Sequence, residues 1–101
     1  MQETGKIKKD FDNYLSLGMT GHFPLFFESW VKESHASVQK VNIRKANHNV
    51  AHVFNQLAKH KSLEKKRTAL IGMDRLSREE FIRSFFRIVE DKCQAEALTL
   101  Q

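Results

Sequence analysis

The chain is poor in the residues that cross-link a fold or interrupt a helix, with one cysteine, one proline and four glycines among 101 residues. A single cysteine cannot form an internal disulfide, which favours a reducing, intracellular and cytoplasmic setting. No apolar run approaches the roughly 18 residues of a transmembrane helix. The first residues also lack the apolar segment of a signal peptide. These absences predict a soluble protein without a membrane partner.

The sequence also lacks strand patterns, since no segment alternates apolar and polar residues over the length of a strand. Neither glycine nor proline occurs from Leu25 to Ile71. Because helices average about 11–12 residues, the polar clusters at 34–37 and 59–62 are expected to divide this stretch. We therefore predict an all-α fold, a small bundle of four or five helices in a single domain over residues 1–101. The tail at 95–101 is expected to fray.

The segment 76–93 has the features expected of the central core helix. Its apolar residues recur at helical spacing: Phe81, Ile82, Phe85, Phe86, Ile88, Val89 and Cys93. Ser77 and Glu80 fit a capping box, and Leu76 with Phe81 fits a hydrophobic staple. Arg87 falls on the polar side with Ser84, so its replacement is expected to cost less than about 0.5 kcal/mol.

Glycine and proline suggest the boundaries of the first two helices. The first is predicted from near Thr4 to Gly18, with Gly18 as the residue that follows the helix end. Pro24 suits the first turn of the second helix, in which Leu25 falls on the polar side. Two further helices are predicted, one with an apolar stripe from Ile43 to Leu57 and one over 63–71 that ends at Gly72. A serine in 34–37 could cap the former.

A polar surface with a basic character is predicted opposite the apolar stripe of the helix through 43–59. Seven of its residues fall within about 120° of one another on a helical wheel. The following segment adds more Lys and Arg. The full set is Arg44, Lys45, His48, His52, Asn55, Gln56, Lys59, Lys61, Lys65, Lys66 and Arg67. Lys and Arg neutralise phosphates, and Asn, Gln and Arg read base edges, so this set predicts contact with nucleic acid.

The net charge of +5 permits that partner without requiring it. The ordinary alternative is a solvated helix face, because Lys and Arg cover most helical surfaces. His48 and His52 are four residues apart and could present two ligands to a metal. A third ligand is not apparent in the sequence, so surface or interface histidines are the simpler interpretation. No metal and no cofactor are therefore predicted.

The aromatic segment 23–31 supports a second hypothesis, in which the protein is an adaptor that binds another protein or forms a homodimer. Aromatic residues are concentrated there, and a helix that is apolar on more than one side suggests an interface. The predicted interface residues are Leu25, Phe26, Phe27 and Trp30. Residues 14–16, 21–23 and 89–92 resemble short segments of bacterial anti-sigma regulators, which carry the opposite overall charge, and we assign no family on them.

Catalysis has little support in the sequence. There is no glycine-rich phosphate loop and no G-x-S-x-G motif. The pairs Glu79–Glu80 and Glu90–Asp91 are adjacent, so a helix directs their carboxylates apart. We expect a non-enzymatic regulatory module that associates with nucleic acid, or alternatively the protein-binding adaptor.

Overall fold

The computed structural model describes residues 2–34 and 41–99, with side chains at 9–33 and 41–97. It contains the helices α1 (Gln2–Met19), α2 (Glu28–Ser34), α3 (Ile43–Leu57), α4 (Leu63–Ile71) and α5 (Arg75–Thr99), and the described residues include no strand. The predicted all-α bundle is therefore confirmed. Helix α5 continues to Thr99, so 95–99 is helical where a frayed tail was expected. The last two residues of that tail lie outside the described residues.

Helix α5 is the central element of the bundle, because α1, α2 and α3 all pack against it. Its buried residues are Phe81, Ile82, Ser84, Phe85, Phe86, Ile88 and Val89. Ser84 was predicted on the polar face, but a helix with neighbours on three sides buries more than its apolar stripe. Arg87 was also predicted on that face. It is half-buried, and its Nε donates to the carbonyl oxygen of Val41 at 3.2 Å.

Phenyl rings fill the space between α5 and the segment that precedes α2. Phe23 meets Phe86 edge to face at 4.7 Å between ring centroids, and Phe26 meets Phe85 in the same way at 5.4 Å. Edge-to-face pairs place the positive edge of one ring against the negative face of the other. On the other side of α5, Phe11 of α1 contacts both Phe54 and Phe85. These ring contacts join α1, α3 and α5 within a core whose buried residues other than phenylalanine are aliphatic.

The end of α1 corrects the predicted role of Gly18. The helix continues to Met19, and the residue after its end with a positive φ is Gly21, at 91°. The backbone N–H of His22 donates to the carbonyl of Leu17, and that of Gly21 to Gly18, which is a Schellman motif. Gly18 is buried in the last turn, where a Cβ would lie 3.0 Å from atoms of both Phe23 and Val89. Position 18 therefore holds a glycine because the helix packs closely against α5 there, and not because Gly18 caps α1.

The aromatic segment also differs from its prediction, because Pro24 lies in a turn and α2 begins only at Glu28. The N–H of Phe26 donates to the carbonyl of Phe23 in this turn. Since these residues are not helical, a helical wheel misplaces Leu25. Its side chain is 1% exposed and lies in the core, as does that of Phe26.

The start of α5 is capped by Asp74, three residues before the predicted cap. The carboxylate of Asp74 accepts from the backbone N–H of Ser77 at 3.3 Å. Ser77 therefore occupies the third helical position, and its own hydroxyl is not the cap. Leu76 is 71% exposed, so the predicted staple with Phe81 is absent. Asp and Ser both favour caps, and the sequence offered two candidates in one helical turn.

The predicted boundaries of α3 and α4 are mostly confirmed. Asn42 caps α3, its side chain accepting from the N–H groups of Arg44 and Lys45. This replaces the predicted serine cap, and Ser37 lies outside the described residues. Ser62 caps α4 through the N–H of Lys65, and the helix ends at Gly72 as predicted.

Candidate functional site

The outer face of α3 presents its predicted polar residues together at the surface. Ala46, Val50, Val53, Phe54 and Leu57 are buried on the opposite face, which fixes the rotation of the helix. The residues exposed on the outer face are Arg44, Lys45, His48, His52, Asn55 and Gln56. We call this set the α3 outer face. Sequence periodicity located it correctly because α3 has one clear apolar stripe.

A groove of about 450 Å³ runs along the first part of this face, where α3 lies beside the start of α5. It is lined by Arg44, Lys45, His48, Asn49, His52 and Glu80. We call it the α3–α5 groove. Sequence reasoning missed Asn49, which lies at the edge of the polar arc, and Glu80, which belongs to another helix. Proximity of Glu80 to α3 follows only from tertiary packing.

Arg44 and Lys45 occupy the second and third positions of α3, which begins at Ile43 after the cap Asn42. The first turn contains no acidic residue. Cations there oppose the positive end of the helix dipole, which typically costs about 0.3–1 kcal/mol for each charge at low ionic strength. The two cations therefore do not stabilise their own helix.

Two of the residues that line the groove carry an acceptor without a partner in the described part of the chain. The Oδ1 of Asn49 is buried without a hydrogen bond, a situation that typically costs about 1–3 kcal/mol. Glu80 is exposed and forms no ion pair with the described residues, although cationic side chains line the same groove. The groove thus combines cations with one accessible acceptor group, the carboxylate of Glu80.

The basic segment after α3 is divided by the fold. Lys59, Lys61 and Lys65 are exposed. Lys66 is 3% exposed, and its Nζ donates to the carbonyl oxygen of His60 at 2.6 Å. This hydrogen bond joins α4 to the loop before it. Lys66 was predicted to contact nucleic acid, and its burial contradicts that prediction.

Arg67 is also engaged within the protein. Its Nε donates to the carbonyl oxygen of Pro24 at 2.7 Å, and its guanidinium lies 5.1 Å from the centroid of the Phe27 ring. Both contacts tie α4 to the turn before α2. Of the predicted phosphate-binding set, the α3 outer face with Lys59, Lys61 and Lys65 is exposed, whereas Lys66 and Arg67 are engaged within the protein.

The predicted protein interface is reduced in the same way. Leu25 and Phe26 belong to the core, which leaves Phe27, 39% exposed, and the half-buried Trp30 at the surface. The two rings meet edge to face at 4.7 Å. Arg78 of α5 covers the Trp30 ring, with its guanidinium 4.8 Å from the centroid. Intramolecular contacts therefore occupy much of this aromatic surface.

The groove carries two histidines, and no group of three His, Cys, Asp or Glu within the described residues could hold a metal ion.

Away from the groove, burial, together with the charge of Asp10, raises the pKa of the Tyr14 hydroxyl. Tyr14 packs on Phe54, which faces away from the α3 outer face.

None of the helices in the described ranges is both long and apolar enough to cross a membrane. Comparisons with protein-family models, with curated proteins and with solved structures found no match to this chain.

Proposed function

We propose that the protein is a non-enzymatic regulatory module that associates with nucleic acid through the α3 outer face and the adjoining Lys59, Lys61 and Lys65. These side chains are exposed and carry positive or hydrogen-bonding groups. Such groups supply the phosphate contacts that dominate affinity for nucleic acid. The net charge of +5 adds a favourable long-range attraction.

The observation that carries this proposal is the position of Arg44 and Lys45. Both are exposed in the first turn of α3, where the helix dipole disfavours them and no acidic residue of that turn compensates. Residues that violate a local stability rule without a compensating contact are typical of functional sites. An anionic ligand across the groove would supply the missing contact.

The test is fluorescence anisotropy with labelled single-stranded and duplex oligonucleotides over a series of salt concentrations. Each neutralised phosphate contributes about −0.9 to the slope of log K against log salt for duplex DNA. The double variant Arg44→Gln with Lys45→Gln should weaken binding and flatten this slope by about 2.

The matched control is the double variant Lys9→Gln with Lys92→Gln, which removes the same charge from exposed positions on α1 and α5. It should leave the slope close to that of the parent protein. Equal effects of the two double variants would show that net charge, and not the α3 outer face, determines binding. Absence of binding at low salt would refute the proposal.

The second candidate function is the protein-binding or homodimeric adaptor, which now depends on Phe27 and Trp30. Phe27 is the favourable observation, since a large aromatic ring remains 39% exposed. Sedimentation equilibrium of the parent protein and of Phe27→Ser tests for a homodimer. A dimer that is lost in the variant would favour this function, and a monomeric parent protein would exclude self-association through this ring.

A further inference from the structure

The α3–α5 groove is lined by side chains of both charge signs that form no ion pair with any described residue. Arg44 and Lys45 lie at its α3 end, and Glu80 contributes a carboxylate from α5. Among the described residues Glu80 takes part in no ion pair, and its side chain is exposed to the groove and to solvent. A fitting ligand must therefore offer both anionic oxygens and hydrogen-bond donors.

A phosphate alone does not fit this groove, because it brings further negative charge towards Glu80. A nucleotide does fit, since its phosphate can lie on the cations while its base offers donors to the carboxylate. Carboxylate side chains accept hydrogen bonds from the amino group of cytosine, and guanidinium and ammonium groups bind phosphates. His48 and His52 line the same groove and present flat rings for a base to contact.

The size of the groove limits what can enter. Its volume of about 450 Å³ lies within the range of roughly 300–1,000 Å³ typical of small-ligand sites. A base that remains stacked in a duplex cannot enter such a groove, whereas unpaired bases can be turned outward and read on their hydrogen-bonding edges.

We infer that the α3–α5 groove binds one unpaired nucleotide of a single strand, with its phosphate on Arg44 and Lys45 and the amino group of its base on Glu80. This inference rests on the proposed function and narrows the partner to single-stranded nucleic acid with an amino-bearing base at this position. Uracil and thymine carry no exocyclic amino group, so the groove selects against them.

The test compares oligodeoxycytidine with oligodeoxyuridine of the same length by fluorescence anisotropy at low salt. The two strands match in charge and ring size and differ in the edge that meets Glu80. The parent protein should bind the cytidine strand about 5-fold more tightly or better. Glu80→Ala should abolish this preference while leaving the affinity for the uridine strand unchanged or raised, because a charge that repels phosphate is removed.

Glu79→Ala is the matched control, since it removes the same charge from the adjacent residue. Glu79 pairs with Arg75 at 3.1 Å and lines a different groove beside Trp30. The cytidine preference should survive in this variant. Free cytidine monophosphate, added as a competitor, should displace the strand only at much higher concentration, because it offers one phosphate.

Three outcomes separate the inference from the proposed function. If the parent protein bound the two strands equally, or if both variants lost the preference, the groove would not be a base-binding site. The proposed function would still hold in either case, provided that binding depended on salt. Competition by free cytidine monophosphate at the affinity of the strand would overturn the assignment to a strand. Absence of binding to either strand at low salt would overturn the proposed function itself, and this inference with it.

Discussion

Two basic stretches of this chain look alike in sequence and differ in structure. Arg44 and Lys45 are exposed at the start of α3, and they contact no acid of that helix turn. In α4, by contrast, Lys66 and Arg67 donate to backbone carbonyls of other segments. One stretch is available to a partner, and most of the other stabilises the fold. A count of Lys and Arg therefore does not define a binding surface.

The difference has a physical cause in the position of each residue relative to a packed face. Lys66 precedes the buried Leu70 by four residues, so both lie on the side of α4 that packs into the bundle. A lysine can bury its aliphatic stem there if its ammonium group reaches an acceptor, and the carbonyl of His60 is that acceptor. Arg44 precedes the exposed His48 by the same interval.

The largest effect that would sharpen this comparison is expected for Lys66→Ala. The variant loses a buried stem and leaves the carbonyl of His60 without its charged donor. We expect the free energy of unfolding to fall by about 2–3 kcal/mol, measured by urea denaturation monitored by circular dichroism. Lys65→Ala, at an exposed neighbouring position, should change it by less than about 0.5 kcal/mol. Similar losses in the two variants would contradict the structural role of Lys66.

A smaller loss is expected for Arg67→Ala, which removes the hydrogen bond to Pro24 and the contact with the Phe27 ring. Both interactions are partly exposed, so the free energy of unfolding should fall by about 1–2 kcal/mol. Arg67→Lys keeps the charge without the planar fork and should recover only part of the loss. The same denaturation assay measures both variants. Full recovery by lysine would mean that charge alone, and not the two contacts, stabilises this region.

The comparison extends to α5, where Arg87 donates to the carbonyl oxygen of Val41 just before α3. Arg87→Ala should lower the free energy of unfolding by about 1 kcal/mol, because a half-buried carbonyl loses its donor. This exceeds the expectation from sequence that Arg87 is nearly neutral. Arg75→Ala offers a control, since Arg75 is exposed and, among the described residues, its side chain pairs with Glu79 alone. If both variants were neutral, the hydrogen bond to Val41 would contribute nothing measurable.

Much of the fold could be predicted from the sequence, because each long helix has a single apolar stripe. The stripe of α3 and the ends of α4 agree with the structure. Predictions failed where geometry depends on a turn. Leu25 was placed by a helical wheel but lies in a turn, and Gly18 was taken for a cap that Gly21 provides. Turn conformation is not a periodic property, so periodicity could not reveal it.

Only the part of the candidate site that lies on a single helix could be predicted from the sequence. The α3 outer face followed from periodicity, whereas Glu80 enters the groove from α5 through tertiary packing. The same limit applies to Lys66 and Arg67. Their partners, His60 and Pro24, lie outside α4, so the sequence of that helix could not reveal these hydrogen bonds.

The smallest effect per residue, and the one of opposite sign, concerns Arg44 and Lys45. Gln has nearly the helix propensity of Arg and Lys, so Arg44→Gln with Lys45→Gln changes mainly the charge at the start of α3. Because each cation opposes the helix dipole, each replacement should raise the free energy of unfolding by about 0.3–1 kcal/mol at low ionic strength. The gain should shrink as salt screens the charges.

The urea denaturation assay, repeated at low and moderate salt, measures this gain beside the Lys9→Gln with Lys92→Gln control. The two substitutions of that control lie outside the first turn of α3, so they should change the free energy of unfolding less. A variant that is more stable yet binds nucleic acid more weakly would show that the two cations serve a partner at the expense of the helix. A loss of stability would instead place Arg44 and Lys45 with Lys66 and Arg67, as residues that maintain the fold.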